Sequence, residues 1–408
     1  MKRTTALALA LAWLATSPAQ AAGPAPIELK DGDRVVLVGG TFVERDQSFG
    51  YFETEVTRRN PGKSILFRNL GWSGDTVWGE SRAGFGTAED GFRQLKGQVA
   101  LIKPTLILVH YGANESFAGS QGLPHFVEGL DRLLDMLAET KARIALVSPI
   151  RAEDLGRPLP DPSRHNADLA LYSAEISKVA ARRGLPFVDI LDVDGSKLNP
   201  PAKLTQDEIQ LNALGSWLTA RTLADRAFGA VEDGWQVELE PGKAMSKGAE
   251  VAVAPAPSDG WKLGPKFRLT DAVLAAPASP AGGHTGRKLA VKGLDDSAKY
   301  TLKVDGKALV TANGKAWAAG IAIEGGPDAA QVETLRSTIG RKNSLYFYRW
   351  RPQNETYLFG FRKHEQGNNA REIPMFDPLV AEQESAIAGL RVPTPRTYEL
   401  VREGEVKS

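Results

Sequence analysis

The sequence predicts a three-layer, doubly wound α/β domain built on a parallel sheet, with a small β-rich insertion and a C-terminal tail that returns to it. Three observations carry this. Between about residues 33 and 228, strand-like and helix-like segments alternate, as in repeated βαβ units. The strand-like segments are continuous apolar runs such as Leu106-Ile107-Leu108-Val109, which suits strands covered by helices on both faces. From about 232 to 325 the pattern changes to short runs alternating apolar and polar residues, separated by Gly, Pro, Ala and Asp.

In order, the strands are expected at Arg34–Val38, Ile65–Asn69, Thr105–Tyr111, Ile144–Ser148 and Pro186–Ile190. Helical spacing marks Tyr51–Arg59, Glu89–Ile102, Leu123–Thr140, Asp168–Arg183 and Asn212–Phe228. In the second region Trp235–Leu239 and Tyr300–Val304 alternate. Asp305-Gly306 is a hairpin turn signal leading into Lys307–Val310 as a return strand. The stretches Ala254–Pro257 and Ala275–Ala281 read as loops. Ala329–Tyr348 reads as a helix, Arg349–Ala370 as polar and aromatic loop pieces broken by Pro352, Gly360 and Gly367, and Glu382–Leu390 as a last helix. The expected organisation is a signal peptide over 1–21, an α/β domain over 28–230, a β-rich domain over 231–327, and a tail over 328–408 packing on the α/β domain.

The start of the chain reads as an export signal. Lys2 and Arg3 precede an apolar run from Ala6 to Ala15, and Ala19-Gln20-Ala21 has the small-residue form of a cleavage site. The run is shorter than the roughly 20 residues that span a bilayer, and no Cys follows it to carry a lipid. The expectation is a periplasmic or secreted protein with no membrane span.

Composition narrows the chemistry. The 408 residues are 42% hydrophobic and 24% charged, which is globular and excludes a disordered chain, a collagen or a coiled coil. Fifty Lys and Arg against 49 Asp and Glu leave a formal charge of +1, so no global field recruits nucleic acid or an anionic membrane. Cysteine is absent, which removes disulfides, thiolate nucleophiles and Cys-ligated metals. No H-E-x-x-H, H-x-H or EF-hand spacing occurs. Gly39-Gly40 lacks the spaced third Gly of a dinucleotide site. No metal and no cofactor is expected.

Ligand sites of doubly wound sheets lie outside the carboxyl ends of the strands. There the sequence places Gly39, Gly40, Thr41, Glu44 and Arg45 after the first strand. Gly71, Trp72, Ser73, Gly74, Asp75 and Thr76 follow the second, and Gly112, Asn114, Glu115 and Ser116 the third. Asp207, Gln210 and Asn212 come before the last helix of the domain. All four clusters are expected to converge.

These clusters resemble the four sequence blocks of the SGNH, or GDSL, hydrolase family. The most specific strings are NLGWSGDT and YGANES, and the match covers about residues 30–228. The string RPQNETYLFGFRKHEQ is similar to the tails of a secreted subgroup labelled GDSL-like lipases. The resemblance implies an SGNH or flavodoxin-like fold and esterase or deacetylase chemistry. In it Ser attacks the ester carbonyl, His is its base, Asp orients the His, and Gly and Asn stabilise the oxyanion. Carried over, Thr41 is the nucleophile position, Gly74 and Asn114 are the oxyanion donors, and Asp207 is the orienting acid. The chain departs from the family pattern in three blocks, and the acid of the third block is Glu115 rather than Asp. Gly39-Gly40-Thr41 stands where the family has G-D-S, and Asp207-Glu208-Ile209-Gln210 where it has D-x-x-H. Gln takes no proton near neutral pH, and an alcohol without a base is a poor nucleophile.

Three readings follow. In the first, an exported ester hydrolase acts on acylated carbohydrate or another ester through a rebuilt triad. Thr41 is the nucleophile and His364, next to Glu365, is the substitute base, backed by Asp207 or Glu365. The other histidines are His110 inside the third strand, His125 after Pro124, His165 and His284. In the second, carboxylates from Glu44, Asp75, Glu115, Glu355 and Glu365 cleave a glycan as acid and base. Trp72 and Trp350 stack on sugar, and Arg45, Arg68 and Arg351 hold anionic groups. In the third, the domain is a catalytically degenerate glycan-binding module, with Trp72, Asn354 and Glu355 among its contacts.

Overall fold

The computed structural model describes residues 26–255, 260–282 and 286–404. The expected signal peptide, part of the Ala254–Pro257 loop and His284 lie outside them. Five parallel strands form the first sheet, in the order β2-β1-β3-β4-β5: β1 (Arg34–Gly39), β2 (Leu66–Gly71), β3 (Leu106–His110), β4 (Arg143–Val147) and β5 (Phe187–Val188). Six helices connect and cover them: α1 (Thr41–Phe49), α2 (Tyr51–Arg59), α3 (Ala88–Ile102), α4 (Gly119–Ala138), α5 (Ser163–Arg183) and α6 (Ala213–Phe228).

Alternation along β1 explains its unbroken apolar run. Val36 and Val38 belong to the core under α3, α4 and α5, while Val35 and Leu37 belong to the core under α1, α2 and α6. Both faces are buried, so no position is free to be polar. The strand order reverses at β1, whose neighbours are β2 on one side and β3 on the other. The crevice at the carboxyl ends of β1 and β3 is therefore where this topology holds a ligand.

Helix α1 is not expected from the sequence. It follows β1 after a single residue, Gly40. A Cβ on Gly39 would lie 2.4 Å from the His110 carbonyl oxygen, so only glycine lets the strand end pass β3 this closely.

The β-rich region holds two sheets. The first has the order β13-β10-β6-β7, from β6 (Gln236–Glu240), β7 (Lys243–Lys247), β10 (Lys288–Val291) and β13 (Ile321–Ala322). The second has the order β12-β11-β14-β9-β8, from β8 (Ala249–Val253), β9 (Lys266–Asp271), β11 (Lys299–Val304), β12 (Lys307–Asn313) and β14 (Arg396–Arg402). A short helix, α7 (Gly314–Ala319), follows β12 and buries Trp317. The Asp305-Gly306 hairpin joins β11 to β12.

The tail forms α8 (Gly326–Trp350), the single-turn α9 (Glu355–Leu358) and α10 (Phe376–Leu390) before β14. Helix α8 packs against α1, α2 and β2, as expected of a returning tail. Its end departs from that expectation, because β14 is the middle strand of the second β-rich sheet, paired with β11 and β9. Residues 396–402 thus belong with 231–327 rather than on the α/β domain. The alternation around buried Tyr398 and Leu400 is the signal that marks this strand. Among the described residues no helix is long and apolar enough to cross a membrane.

A buried ion pair fastens the tail. Lys342 of α8 donates to both carboxylate oxygens of Glu53 on α2, at 2.6 and 2.7 Å. Burial costs each charge several kcal/mol, recovered only while the pair is intact. Lys342→Ala leaves Glu53 buried and unpaired, and urea unfolding should show a loss of about 3–5 kcal/mol. Glu53→Leu combined with Lys342→Met should recover most of it. A loss in the double variant as large as in the single one would mean that the pair itself is not what the fold depends on.

Candidate active site

Thr41 is the first residue of α1, at the carboxyl end of β1. Its Oγ1 accepts a hydrogen bond from the Gly74 N–H at 3.3 Å. Asn114 follows β3, and its amide Nδ2 donates to the Asp75 carbonyl at 2.8 Å. The same nitrogen lies 3.6 Å from where a Cβ of Gly40 would stand. The first three sequence clusters therefore meet at one point. Around it opens a cavity walled by Phe42, Phe117, Ile150, Leu169 and Leu211, with Arg45 and Arg151 exposed at its rim.

The fourth cluster arrives as a hairpin. Thr205 and Leu211 pair across it, and the Gln206 N–H donates to the Gln210 carbonyl at 2.9 Å. The Glu153 N–H donates to the Glu208 carbonyl at 2.9 Å, tying the hairpin to the loop after β4. Gln210 and Ile209 line the cavity. Asp207 is exposed, and its Oδ1 accepts the N–H groups of Gln210 at 2.7 Å and Ile209 at 3.3 Å. It caps its own turn, and among the described residues no histidine is bonded to it.

His364 is not at the site. It sits exposed on the turn Lys363–Gln366 and is not among the residues lining the cavity. Glu365 pairs with Arg362 at 2.6 Å, three residues earlier. Asn354 is exposed in a left-handed conformation with φ 61°, and Glu355 is exposed at the start of α9. None of these tail residues is among those that line the cavity around Thr41. What the tail brings near is Arg351, which donates to Glu44 at 2.8 Å and stands 3.6 Å over the Trp72 ring. Trp350 meets Trp72 edge-on at 5.8 Å. Trp72 is half-buried, with Arg351 over its ring and Trp350 against its edge.

Glu44, Asp75 and Glu115, three of the carboxylates proposed for glycan cleavage, are held by internal donors, although Asp75 Oδ1 has no partner among the described residues. Glu44 also accepts from the Ser73 N–H at 2.5 Å. Asp75 is buried and takes Arg82 at 2.5 Å and the Tyr111 hydroxyl at 2.7 Å on one oxygen. Glu115 accepts from the Val77 N–H and the Gly112 N–H, both at 2.9 Å. Burial pushes Glu115 up to about 7, against those donors. Each carboxylate braces one site loop against another instead of facing a water and a glycosidic oxygen as a free pair.

Two histidines line the cavity that the sequence reading did not place there. His165 opens α5, and its Nε2 lies 2.9 Å from the Ser116 hydroxyl, with its ring stacked 4.0 Å from Phe117. Ser116 is buried and also donates to the Ala113 carbonyl at 2.7 Å, so the pair fixes the loop that carries Asn114. His110 is buried at the end of β3 against Phe42, with no partner for Nε2. Burial pushes it down to about 4, which makes it a neutral imidazole at neutral pH. No hydrogen bond from either ring to Thr41 is present among the described residues. Ile150 and Arg151 follow β4 after Ser148 and Pro149, so the strand-end rule that located the other clusters applies to them too. His125 stacks on Trp78 at 4.5 Å. Among the described residues, no group of three His, Asp or Glu is placed to hold a metal ion.

Comparison with known proteins bears on this arrangement. The model of the GDSL-like lipase/acylhydrolase family matches residues 31–218. No curated protein matches the sequence. Among solved structures, a gut microbial diltiazem-metabolizing enzyme superposes with a TM-score of 0.71 at 16% identity, over 92% of this chain and 98% of that one. It shares the fold across both the α/β and the β-rich regions. An acetylxylan esterase from Geobacillus stearothermophilus, solved as a catalytic mutant, gives a TM-score of 0.39 at 19% identity, over 49% of this chain and 96% of its own. A GDSL-like lipase from Bacteroides thetaiotaomicron gives 0.33 at 20%, over 48% and 87%.

Asp46 offers a test of the site's electrostatics. It is buried in the cavity wall, and burial raises its carboxyl to about 7. The folded chain then holds a proton that the unfolded chain releases near pH 4, so this contribution is full below about 4 and lost as pH rises through about 7. Asp46→Asn removes it. The drop in urea midpoint from pH 5 to pH 8 should be smaller in the variant than in the wild type. An equal drop in both would show that Asp46 is ionised throughout.

Proposed function

Starting from a chain that carries a GDSL-like lipase/acylhydrolase domain over residues 31–218, we propose that the cavity binds a carboxylic ester and hydrolyses it slowly. The acyl group lies against the apolar wall of Phe42, Phe117, Ile150 and Leu169. The carbonyl oxygen replaces Thr41 Oγ1 as acceptor for the Gly74 N–H and takes the second hydrogen of the Asn114 amide. The hydroxyl of Thr41 is then beside the carbonyl carbon. The observation that carries this reading is the meeting of Thr41, Gly74 and Asn114 at the end of β1. Donors fixed in place by the fold are worth more in the transition state than in water, because they need no reorganisation as charge develops.

The missing base sets the rate. Gln210 occupies the base cluster, and its amide does not take the Thr41 proton. A triad lacking one member retains roughly 10³–10⁴-fold catalysis from its oxyanion frame and binding alone. Export by the N-terminal signal, and an acylated carbohydrate as substrate, are part of the same proposal. Gln210 favours a second reading, in which the same cavity binds the ester without turning it over.

Hydrolysis of 4-nitrophenyl acetate separates the two. The wild type should exceed the uncatalysed rate, and Asn114→Ala should lower kcat roughly 10²-fold with folding unchanged. Gln210→His, which places an imidazole on the hairpin capped by Asp207, should raise kcat by at least 10²-fold. A wild type at the background rate, with no gain in the histidine variant, would leave the binding reading in possession of the site.

A further inference from the structure

The mouth of the ester cavity carries a charge that the molecule as a whole lacks. Of Arg45, Arg68 and Arg351, which the sequence suggests as holders of anionic groups, two are engaged elsewhere. Arg68 pairs with Glu384 at 2.5 Å and Arg351 with Glu44 at 2.8 Å. Arg45 makes no hydrogen bond, ion pair or ring contact among the described residues, and it is exposed at the cavity rim. It lies four residues after Thr41 on α1, so the two share a helix face one turn apart. Helical side chains lie back over the preceding turn, which brings this guanidinium toward Thr41.

Arg151 joins it from the loop after β4. It pairs with Asp194 only at 3.6 Å, beyond hydrogen-bond length, and 46% of its side chain is exposed. The acids around the cavity do not cancel these two cations. Asp75 is matched by the buried Arg82. Burial raises Asp46 and Glu115 to about 7, so each carries only part of a charge at neutral pH. Burial pushes His110 and His165 down, toward neutral imidazoles. Asp207 is exposed on the hairpin but does not line the cavity. The same mouth has apolar sides, because Phe117 and Ile209 line the cavity while 65% and 51% exposed. A group that extends out of the cavity meets apolar surface and unmatched positive charge together.

We infer that the cavity mouth binds a carboxylate carried on the alcohol half of the ester, with Arg45 as the residue that selects it and Arg151 as a second donor. The inference rests on the ester reading of the cavity. With the acyl group against the inner wall and the carbonyl at Gly74 and Asn114, the alcohol half is the part that extends to the rim. Its apolar portion packs against Phe117 and Ile209. Its carboxylate takes the N–H groups of Arg45, whose planar fork matches two carboxylate oxygens. No internal acid has to be displaced from Arg45 first, so the contact with the ligand is made without breaking one in the protein.

The test is calorimetric titration of the full chain with 4-acetoxybenzoate and with 4-acetoxybenzamide, a neutral ester of nearly the same shape. In about 20 mM salt the carboxylate should bind roughly fivefold more tightly than the amide. That ratio should fall toward one in about 500 mM salt, where exposed charges are screened. It should also fall toward one in the double variant Arg45→Gln with Arg151→Gln. Both side chains are exposed, and an unchanged urea midpoint confirms the fold. Equal binding of the two esters in low salt, or a ratio that survives the added salt or the double variant, overturns the carboxylate inference while the ester cavity stands. A different result overturns the ester reading itself: neither ester bound, or 4-hydroxybenzoate, which lacks the acyl group, bound as tightly as 4-acetoxybenzoate. The assignment of the carboxylate to an alcohol half falls with it.

Discussion

At this site β2 and α1 run backbone against backbone. A Cβ on Gly71 would lie 2.2 Å from the Glu44 amide nitrogen, which no side chain survives. That contact, with the matching one between Gly39 and the His110 carbonyl, lets α1 begin directly above the strand ends instead of standing off from them. Thr41 therefore sits at the mouth of the sheet, and the Gly74 loop reaches its hydroxyl. A larger residue at Gly71 would push α1 away from β2, and one at Gly39 would push the end of β1 away from β3, so either would shift Thr41 from the Gly74 loop.

The acids of the site serve that geometry. Glu44, Asp75 and Glu115 each connect two segments that the sheet alone does not join: α1 to the β2 loop and the tail, the β2 loop to Arg82 and Tyr111, the β3 loop to Val77. A buried carboxylate is stable only with such donors, so replacing one of these residues would loosen the loops it joins. Their work is to keep Gly74 and Asn114 fixed relative to Thr41. The wall that remains for a ligand is apolar, which suits an acyl group and leaves polar recognition to the rim.

Much of this was legible in the sequence, and what was not has physical causes. The five sheet strands and the helices α2 to α6 announce themselves through apolar period and continuity, and the strand-end rule gathered Thr41, Gly74 and Asn114 correctly. Helix α1 stayed hidden because Gly39-Gly40 reads as a loop, and its helical spacing is short and mostly polar on its outer face. Strand β14 stayed hidden because its partners β11 and β9 lie about a hundred residues or more away, and seven residues of alternation carry little weight alone. His364 misled for the opposite reason. A dense polar string attracts functional readings, but density in sequence does not say where a tail points. Here it is Trp350 and Arg351, at the end of α8, that reach the site.

The absent base is a matter of one side chain rather than of architecture. The hairpin from Thr205 to Leu211 is closed by its own bridge, anchored to the β4 loop through Glu153, and capped by Asp207, and it delivers residue 210 to the cavity wall. The two histidines that share the cavity are no substitutes. His165 is engaged with Ser116 and holds the Asn114 loop, and His110 is so deeply buried that its imidazole resists the positive charge a general base must accept. Under the proposed ester reading a base has to gain a proton as Thr41 loses one, and the residue that the D-x-x-H resemblance assigns to that role is Gln210, which lines the same cavity. An amide at 210 takes no proton, so under that reading the chemistry left to the site is what a hydroxyl and two fixed donors supply.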